Sequence, residues 1–137
     1  MNPKQIDQTF SVSPQPAPED MAQLAEQGFV AVIANRPDDE EPGQPSADEM
    51  RRAAEAAGLT FHHLPVTGGQ FPDEVISSFG DIRRNTPGNI LGYCRTGTRS
   101  ASLNALANPT GISAEERLNQ AREAGYDLSG LRARLGE

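Results

Sequence analysis

Residues 89–100 read NILGYCRTGTRS, and the architecture of the chain follows most directly from them. The short apolar run 90–93 leads into the only cysteine, Cys94, and a glycine-bearing turn then opens into a helix-compatible segment from Ser100. The pattern predicts a buried strand, a tight loop and the N-terminus of a helix. A thiol placed there faces loop N–H groups and the positive end of a helix dipole, which favours the thiolate and lets an anion bind beside it.

The neighbours of Cys94 distinguish it from an ordinary core cysteine. A lone cysteine in an intracellular chain is more often a small buried hydrophobe than a catalyst. Here, however, Arg95 and Arg99 add fixed positive charge, and Arg99 offers a planar fork to an oxyanion. We therefore interpret Cys94 as a nucleophile that acts on anions.

Composition narrows the choice of partner and compartment. The chain of 137 residues has the length of one domain, 1–137, with enough apolar residues for a real core. Its formal charge of −7 argues against nucleic acid and against an anionic membrane surface. With one cysteine, no membrane-spanning apolar stretch and a polar N-terminus, we expect a soluble, cytoplasmic protein.

Strand and helix patterns alternate along the chain. Apolar or alternating runs predict strands at 10–13, 29–34, 59–64 and 90–93. Helical spacing, two capping boxes and glycine stops predict helices at 19–27, 46–57, 73–85, from 100, at 113–125 and at 129–135. The order predicts a three-layer α/β fold, in which helices flank a mostly parallel sheet of about four to five strands.

Two loops follow predicted strands and so border the expected site. Asn35 or Arg36, just after the strand 29–34, is placed to reach the crevice of Cys94, although a solvated connection explains Arg36 equally well. For the acidic run after it, in residues 38–41, we favour simple solvation. The loop 66–71 lies at the end of the next strand. Adjacent His62 and His63 point to opposite faces of that strand, and we predict structural roles for them and no metal site.

At Cys94 the sequence resembles known enzyme loops. The strand–Cys–Gly–Arg–helix unit resembles the active-site loop of tyrosine and dual-specificity phosphatases, and CRTGTRS is also similar to the loop of rhodanese sulfurtransferases. Over nearly the whole chain, the stretches SVSPQ, NRPDDEEPGQPS, LPVTGG, YCRTGTRS and AGYDL resemble the bacterial β-lactamase-hydrolase-like family, in its phosphatase-like domain. The resemblance implies a dual-specificity-phosphatase-like fold. From relatives fused to a metallo-β-lactamase-like domain, it also implies a link to persulfide metabolism and to such a dioxygenase.

The resemblance assigns roles to individual residues. It makes Cys94 the nucleophile, Arg99 the anion-binding arginine and Ser100 a hydroxyl that hydrogen-bonds the thiolate. The backbone N–H groups of 95–99 form the anion cradle, which adds four residues to the predicted substrate-binding set: Arg95, Thr96, Gly97 and Thr98. No cofactor or metal is implied.

Two departures from the phosphatase pattern affect the predicted reaction. Only four residues separate Cys94 from Arg99, whereas the phosphatase pattern has five. The one carboxylate on the loop that should supply a general acid is Asp73, and we favour a helix-start role for it over a catalytic one.

These features support three functions. The shorter loop suits a compact sulfur group, and sulfur transfer needs little acid catalysis, so the leading prediction is a sulfurtransferase that carries sulfane sulfur as a Cys94 persulfide to a thiol such as glutathione. The alternative is a phosphomonoesterase that works through a phosphocysteine, with Asp73 or water as acid. A non-catalytic anion-binding or redox-sensing module is the third.

Overall fold

The computed structural model describes residues 1–136. Five strands form one sheet: β1 (Lys4–Asp7), β2 (Phe10–Ser13), β3 (Phe29–Ala34), β4 (Thr60–His63) and β5 (Asn89–Tyr93). Five α-helices and a C-terminal 3-10 helix accompany them: α1 (Asp20–Glu26), α2 (Ala47–Ala56), α3 (Asp73–Asn85), α4 (Thr98–Ala107), α5 (Ala114–Glu123) and the 3-10 helix Ser129–Leu135. The predicted α/β architecture is confirmed.

Strand β5 lies at the centre of the sheet. The spatial order is β1-β2-β5-β3-β4, and every pair is parallel except β1 with β2. Tyr93 is opposite Ser13 on one side and Ala34 on the other. The C-terminal ends of three parallel strands therefore lie side by side, immediately before Cys94.

Helices cover both faces of the sheet, as the continuous apolar runs predicted. On one face, α3, α4 and α5 pack against a cluster that includes Phe10, Val12, Ile33, Phe79, Ile90 and Leu103. On the other face, α1 and α2 pack against a second cluster that includes Met21, Val32, Met50, Phe61, Leu91 and Tyr93. Within residues 1–136, no helix has the length and apolar character needed to cross a bilayer.

The sequence predicted most elements, with three differences. Strand β1 was not predicted, because Ile6 is its only buried apolar residue and the strand is an antiparallel edge next to β2. The last helix is a 3-10 helix and α4 begins at Thr98, two residues before the predicted start. The capping boxes at Ser46 and Ser113 are both formed.

Gly92 makes room for close packing of Phe10 and α4 against β5. A Cβ atom at this position would lie 2.8 Å from Cζ of Phe10 and 3.2 Å from Cβ of Ser100. Phe10 is 1% exposed and its ring also meets Phe79 edge to face, so it has no free volume into which to move. A glycine is therefore needed one residue before Tyr93 for α4 to approach β5.

We expect Gly92→Ala to lower the free energy of unfolding by about 1–3 kcal/mol, because an added methyl overpacks the space between Phe10 and α4. Urea denaturation followed by far-UV circular dichroism measures the change. Gly130→Ala is the matched control, since no heavy atom lies within 4 Å of the added Cβ there. Equal stability of the two variants would contradict the prediction.

Candidate active site

Cys94 is buried at the end of β5, with its sulfur inside the following loop. The residue is 1% exposed, and the backbone N–H of Gly97 donates to its Sγ at 3.0 Å. Gly97 has a φ of 98°, in the left-handed region that glycine adopts without a side-chain clash. Helix α4 starts at the next residue, so the sulfur lies at the helix N-terminus that the sequence predicted.

Ser100 is held by a different partner from the predicted one. Its hydroxyl donates to Oδ1 of Asn35 at 2.7 Å, whereas the resemblance implied a bond to the thiolate. Asn35 is fully buried, and its amide nitrogen donates to the carbonyl of Leu64 at 2.8 Å. That bond orients the amide oxygen toward Ser100, and a buried amide must be satisfied. The pair ties the first turn of α4 to the end of β3.

Arg99 binds Glu40 through one edge of its guanidinium and has two donors on a second edge. Its Nη1 and Nη2 donate to the two carboxylate oxygens of Glu40 at 2.8 and 2.7 Å, and Nη1 also donates to the carbonyl of Val66 at 2.7 Å. The Nε–H and the other hydrogen of Nη2 form the second edge, which is a two-donor fork of the kind that binds oxyanions. The Glu40 hydrogen bond and, to a lesser extent, the Cys94 charge and a side-chain hydrogen bond with Cys94 raise the pKa of Arg99.

Glu40 corrects the prediction that the acidic run is merely solvated. Besides the pair with Arg99, it accepts from Nε of Arg36 at 2.9 Å. The hydrogen bond from Arg99 and, beyond it, the bond from Arg36 lower the pKa of Glu40 to about 2 despite partial burial. Glu40 is therefore ionised at neutral pH. The only sequence signal was an acid four residues after Arg36, which occurs equally in solvated loops.

Arg36 lies behind Glu40 as part of the same charge network. It is 2% exposed, and its remaining side-chain contacts are with Glu41 at 3.0 Å and Gln15 at 3.2 Å. The carbonyl of Arg36 faces Nε2 of His63 at 3.2 Å. The structure thus links Arg36 to the site through Glu40 and Arg99.

Of the other predicted site residues, three lie on the Cys94 loop or the first turn of α4, and Asp73 lies away from it on α3. Arg95 and Thr96 are exposed at the loop surface, and Arg95 lies 3.9 Å from Glu41. The hydroxyls of Thr96 and Thr98 are 3.1 Å apart. Asp73 is in the first turn of α3 with a fully exposed side chain, 3.6 Å from Arg134. Among residues 1–136, no hydrogen bond or ion pair joins Asp73 to the Cys94 loop.

Residues 1–136 contain no group of three or more His, Cys, Asp or Glu side chains that could hold a metal ion. His62 is half-buried, and burial lowers its pKa. Its neighbour His63 contacts the carbonyl of Arg36.

A thiol at the end of a central parallel strand, a glycine-bearing loop, an arginine and a helix N-terminus together define the class of cysteine-dependent phosphatase-like α/β domains. The chain belongs to the family described as "Beta-lactamase hydrolase-like protein, phosphatase-like domain", whose model matches residues 3–111. The family suggested by sequence resemblance is thereby confirmed.

Individual relatives agree with this assignment. A "Beta-lactamase hydrolase-like protein" of Xylella fastidiosa is 35% identical over 102 residues, which are 74% of this chain and 24% of that protein. The chain thus spans about a quarter of the length of this curated relative. The crystal structure of a candidate phosphatase from Neisseria meningitidis superposes with a TM-score of 0.84 and 34% identity, covering 96% of this chain and 94% of that one.

More distant phosphatases share the fold alone. The core catalytic domain of the PP-IP phosphatase SIW14 from S. cerevisiae superposes with a TM-score of 0.69 at 18% identity, covering 96% of this chain and 81% of that one. The family match and the Neisseria structure support an enzyme of the cysteine-dependent phosphatase type, the alternative predicted from the sequence. Neither lends specific support to the sulfurtransferase, which was the leading prediction.

We expect Glu40→Gln to lower the free energy of unfolding at pH 7 by about 1–2 kcal/mol, because a charged partner of two arginines is lost while solvent screens part of the attraction at this exposed residue. A carboxylate with a depressed pKa stabilises the fold above its unfolded value of 4.5 and loses that effect as the pH falls toward 2. The difference between wild type and variant should therefore shrink from pH 4.5 to pH 2. Urea denaturation at several pH values measures it.

Glu115→Gln is the matched control for this measurement, because Glu115 pairs with Arg132 at the exposed surface and little stability depends on such a pair. If the deficit of Glu40→Gln stayed constant down to pH 2, the ionised pair would not be its cause.

Proposed function

We propose that the chain hydrolyses phosphomonoesters through a phosphocysteine formed on Cys94. One observation carries the proposal: the sulfur, the N–H of Gly97 and the second edge of Arg99 belong to a single segment at the N-terminus of α4. Such a loop brings a nucleophile and donors for an oxyanion to one phosphoryl group. Membership in a phosphatase-like family supports the same reaction.

The proposed reaction has two displacements. The Cys94 thiolate attacks phosphorus, the bond from phosphorus to the ester oxygen breaks, and the alcohol leaves with the electron pair and takes a proton. Water then attacks the phosphocysteine, the phosphorus–sulfur bond breaks, and inorganic phosphate and the thiolate are released. The second edge of Arg99 and the loop N–H groups bind the oxygens that carry charge in both transition states.

The source of the leaving-group proton distinguishes this site from one with an efficient general acid. Glu40 is the carboxylate bound to Arg99, and with a pKa of about 2 it holds no proton at neutral pH. Asp73 is exposed and oriented toward Arg134. We therefore propose water as the proton donor, and the reaction then depends on a leaving group that tolerates negative charge.

We expect kcat to fall steeply from p-nitrophenyl phosphate to phenyl phosphate and again to an alkyl phosphate, because the departing oxygen receives little protonation in the transition state. Asp73→Asn should change kcat for phenyl phosphate by less than about two-fold. Steady-state release of inorganic phosphate measures both. A ten-fold or greater loss in Asp73→Asn would instead assign the acid to Asp73.

A second candidate, sulfur transfer, is favoured by the spacing of four residues between Cys94 and Arg99. A shorter loop encloses a smaller ring of donors, which suits a persulfide. In this reaction the thiolate attacks the outer sulfur of thiosulfate, the sulfur–sulfur bond breaks and sulfite leaves with the electron pair. A thiol acceptor such as glutathione then takes the outer sulfur from Cys94. A link to a metallo-β-lactamase-like dioxygenase belongs to this candidate.

Intact mass after rapid quenching should separate the candidates. With p-nitrophenyl phosphate we expect a gain of about 80 Da on the wild type and none on Cys94→Ser, together with loss of turnover. With thiosulfate, a gain of about 32 Da confined to the wild type would assign sulfur transfer instead. If neither mass gain were observed, the chain would be assigned as a non-catalytic anion-binding module.

A further inference from the structure

A tyrosine from the end of the chain reaches the catalytic loop. Tyr126 follows α5, and its hydroxyl donates to the carbonyl of Thr96 at 3.2 Å. Its backbone N–H donates to the carbonyl of Ala121 at 2.8 Å, and nearby Leu128 is buried in the core. The segment that carries the ring is therefore held in place. Tyr126 lies outside the residues that the family model matches, 3–111.

The accepting carbonyl and the donor to the sulfur belong to one peptide group. The carbonyl of Thr96 and the N–H of Gly97 are the two ends of the Thr96–Gly97 peptide, and that N–H donates to Cys94 Sγ at 3.0 Å. A trans peptide is planar, with its C=O and N–H pointing in opposite directions. Holding the oxygen outward therefore holds the N–H inward, toward the sulfur.

The backbone alone does not fix this peptide. Rotating it by half a turn would place the carbonyl oxygen of Thr96 against the sulfur, where it would repel both a thiolate and a bound anion. Glycine adopts positive and negative φ about equally readily, so Gly97 permits that rotation. A tertiary contact must therefore select the orientation, and Tyr126 supplies one.

The packing around Gly97 shows how closely Tyr126 approaches. A Cβ atom built on Gly97 would lie 2.3 Å from the Tyr126 hydroxyl oxygen and 3.3 Å from the carbonyl oxygen of Ser13. Burial and, after it, the charge of Cys94 raise the pKa of Tyr126, so the phenol remains a proton-bearing donor at neutral pH. The ring is thus near enough to the sulfur to respond to its charge.

We propose that Tyr126 is a positioning residue of the Cys94 site, whose hydroxyl holds the Thr96–Gly97 peptide so that the Gly97 N–H faces the sulfur and the group transferred to it. The proposal rests on the proposed function in that Cys94 is the nucleophile. Hydrogen bonding at the carbonyl also polarises the peptide, which strengthens donation by the N–H.

Tyr126→Phe tests the proposal, because it removes the hydroxyl and keeps the ring. We expect the Gly97 amide signal in ¹H–¹⁵N spectra to move and its hydrogen exchange to quicken. We also expect alkylation of Cys94 by iodoacetate at pH 7 to slow by about five-fold, as for the loss of one hydrogen bond. For p-nitrophenyl phosphate, kcat should fall by a similar factor with little change in KM, since the donor acts in the transition state.

Ser129→Ala is the matched control, since it weakens a turn of the same C-terminal segment at Asp127 and leaves the phenol in place. We expect it to match the wild type in every measurement. If it slowed alkylation as much as Tyr126→Phe, or if Tyr126→Phe left the Gly97 signal and the alkylation rate unchanged, the proposal would be overturned.

Two further arms keep the test decisive. Should Tyr126→Phe fail to fold by circular dichroism, Tyr126→Leu also lacks the donor and carries the same expectation. Should the wild type release no phosphate, the proposed function fails, and the amide signal and the alkylation rate still decide the role of Tyr126, because neither needs a substrate.

Discussion

Strand β5 is hydrogen-bonded along both edges and covered on both faces, and this double burial fixes the position of Cys94. A residue that follows such a strand cannot shift along the strand direction without breaking ladders to β2 and β3 at once. Gly92 lets α4 approach closely, and the Ser100–Asn35 bond joins that helix to β3. The sheet therefore fixes the position of the sulfur, and the loop around it is anchored to this rigid sheet.

The carboxylates beside the loop weaken its positive potential but hold its arginines in place. Glu40 and Glu41 offset much of the positive charge of Arg36 and Arg99, so the site attracts anions less strongly than its arginines alone would. In exchange, Arg99 keeps one donor pair engaged and presents the other. Holding a guanidinium in place before substrate arrives lowers the entropy cost of binding and favours a transition state with defined oxygen positions.

The fold was predictable because its signals are local. Apolar runs, capping boxes and glycine stops lie within a few residues of the elements they define. The Cys94–Ser100 loop can likewise be predicted from its own residues alone. What the sequence did not reveal depends on partners far along the chain. Glu40 meets Arg99 across 59 residues, and Tyr126 meets Thr96 across 30. An acidic loop looks the same whether water or an arginine satisfies it.

The local sequence predicted neither strand β1 nor the hydrogen-bond partner of Ser100, because both depend on neighbours in the folded chain. A four-residue polar edge strand has one buried side chain and no period to detect, so only the sheet beside it reveals it. The hydroxyl of Ser100 was assigned by resemblance to the nearest charged acceptor. In the folded chain, Asn35 is a buried amide whose other end is already engaged, and satisfying that amide takes precedence.

The parallel order of the sheet has a consequence for how the site comes into being. Its parts come from the ends of β2, β3 and β5, from the loop after β4 and from the segment after α5, which are brought together only by long crossovers. Parallel sheets form such non-local contacts late and slowly. The segment from β5 to α4 brings the sulfur and Arg99 together locally, whereas Glu40, Val66 and Tyr126 reach that segment only through long-range contacts. The reactivity of Cys94 should therefore report complete folding, because the contacts proposed to position its loop come from distant parts of the chain.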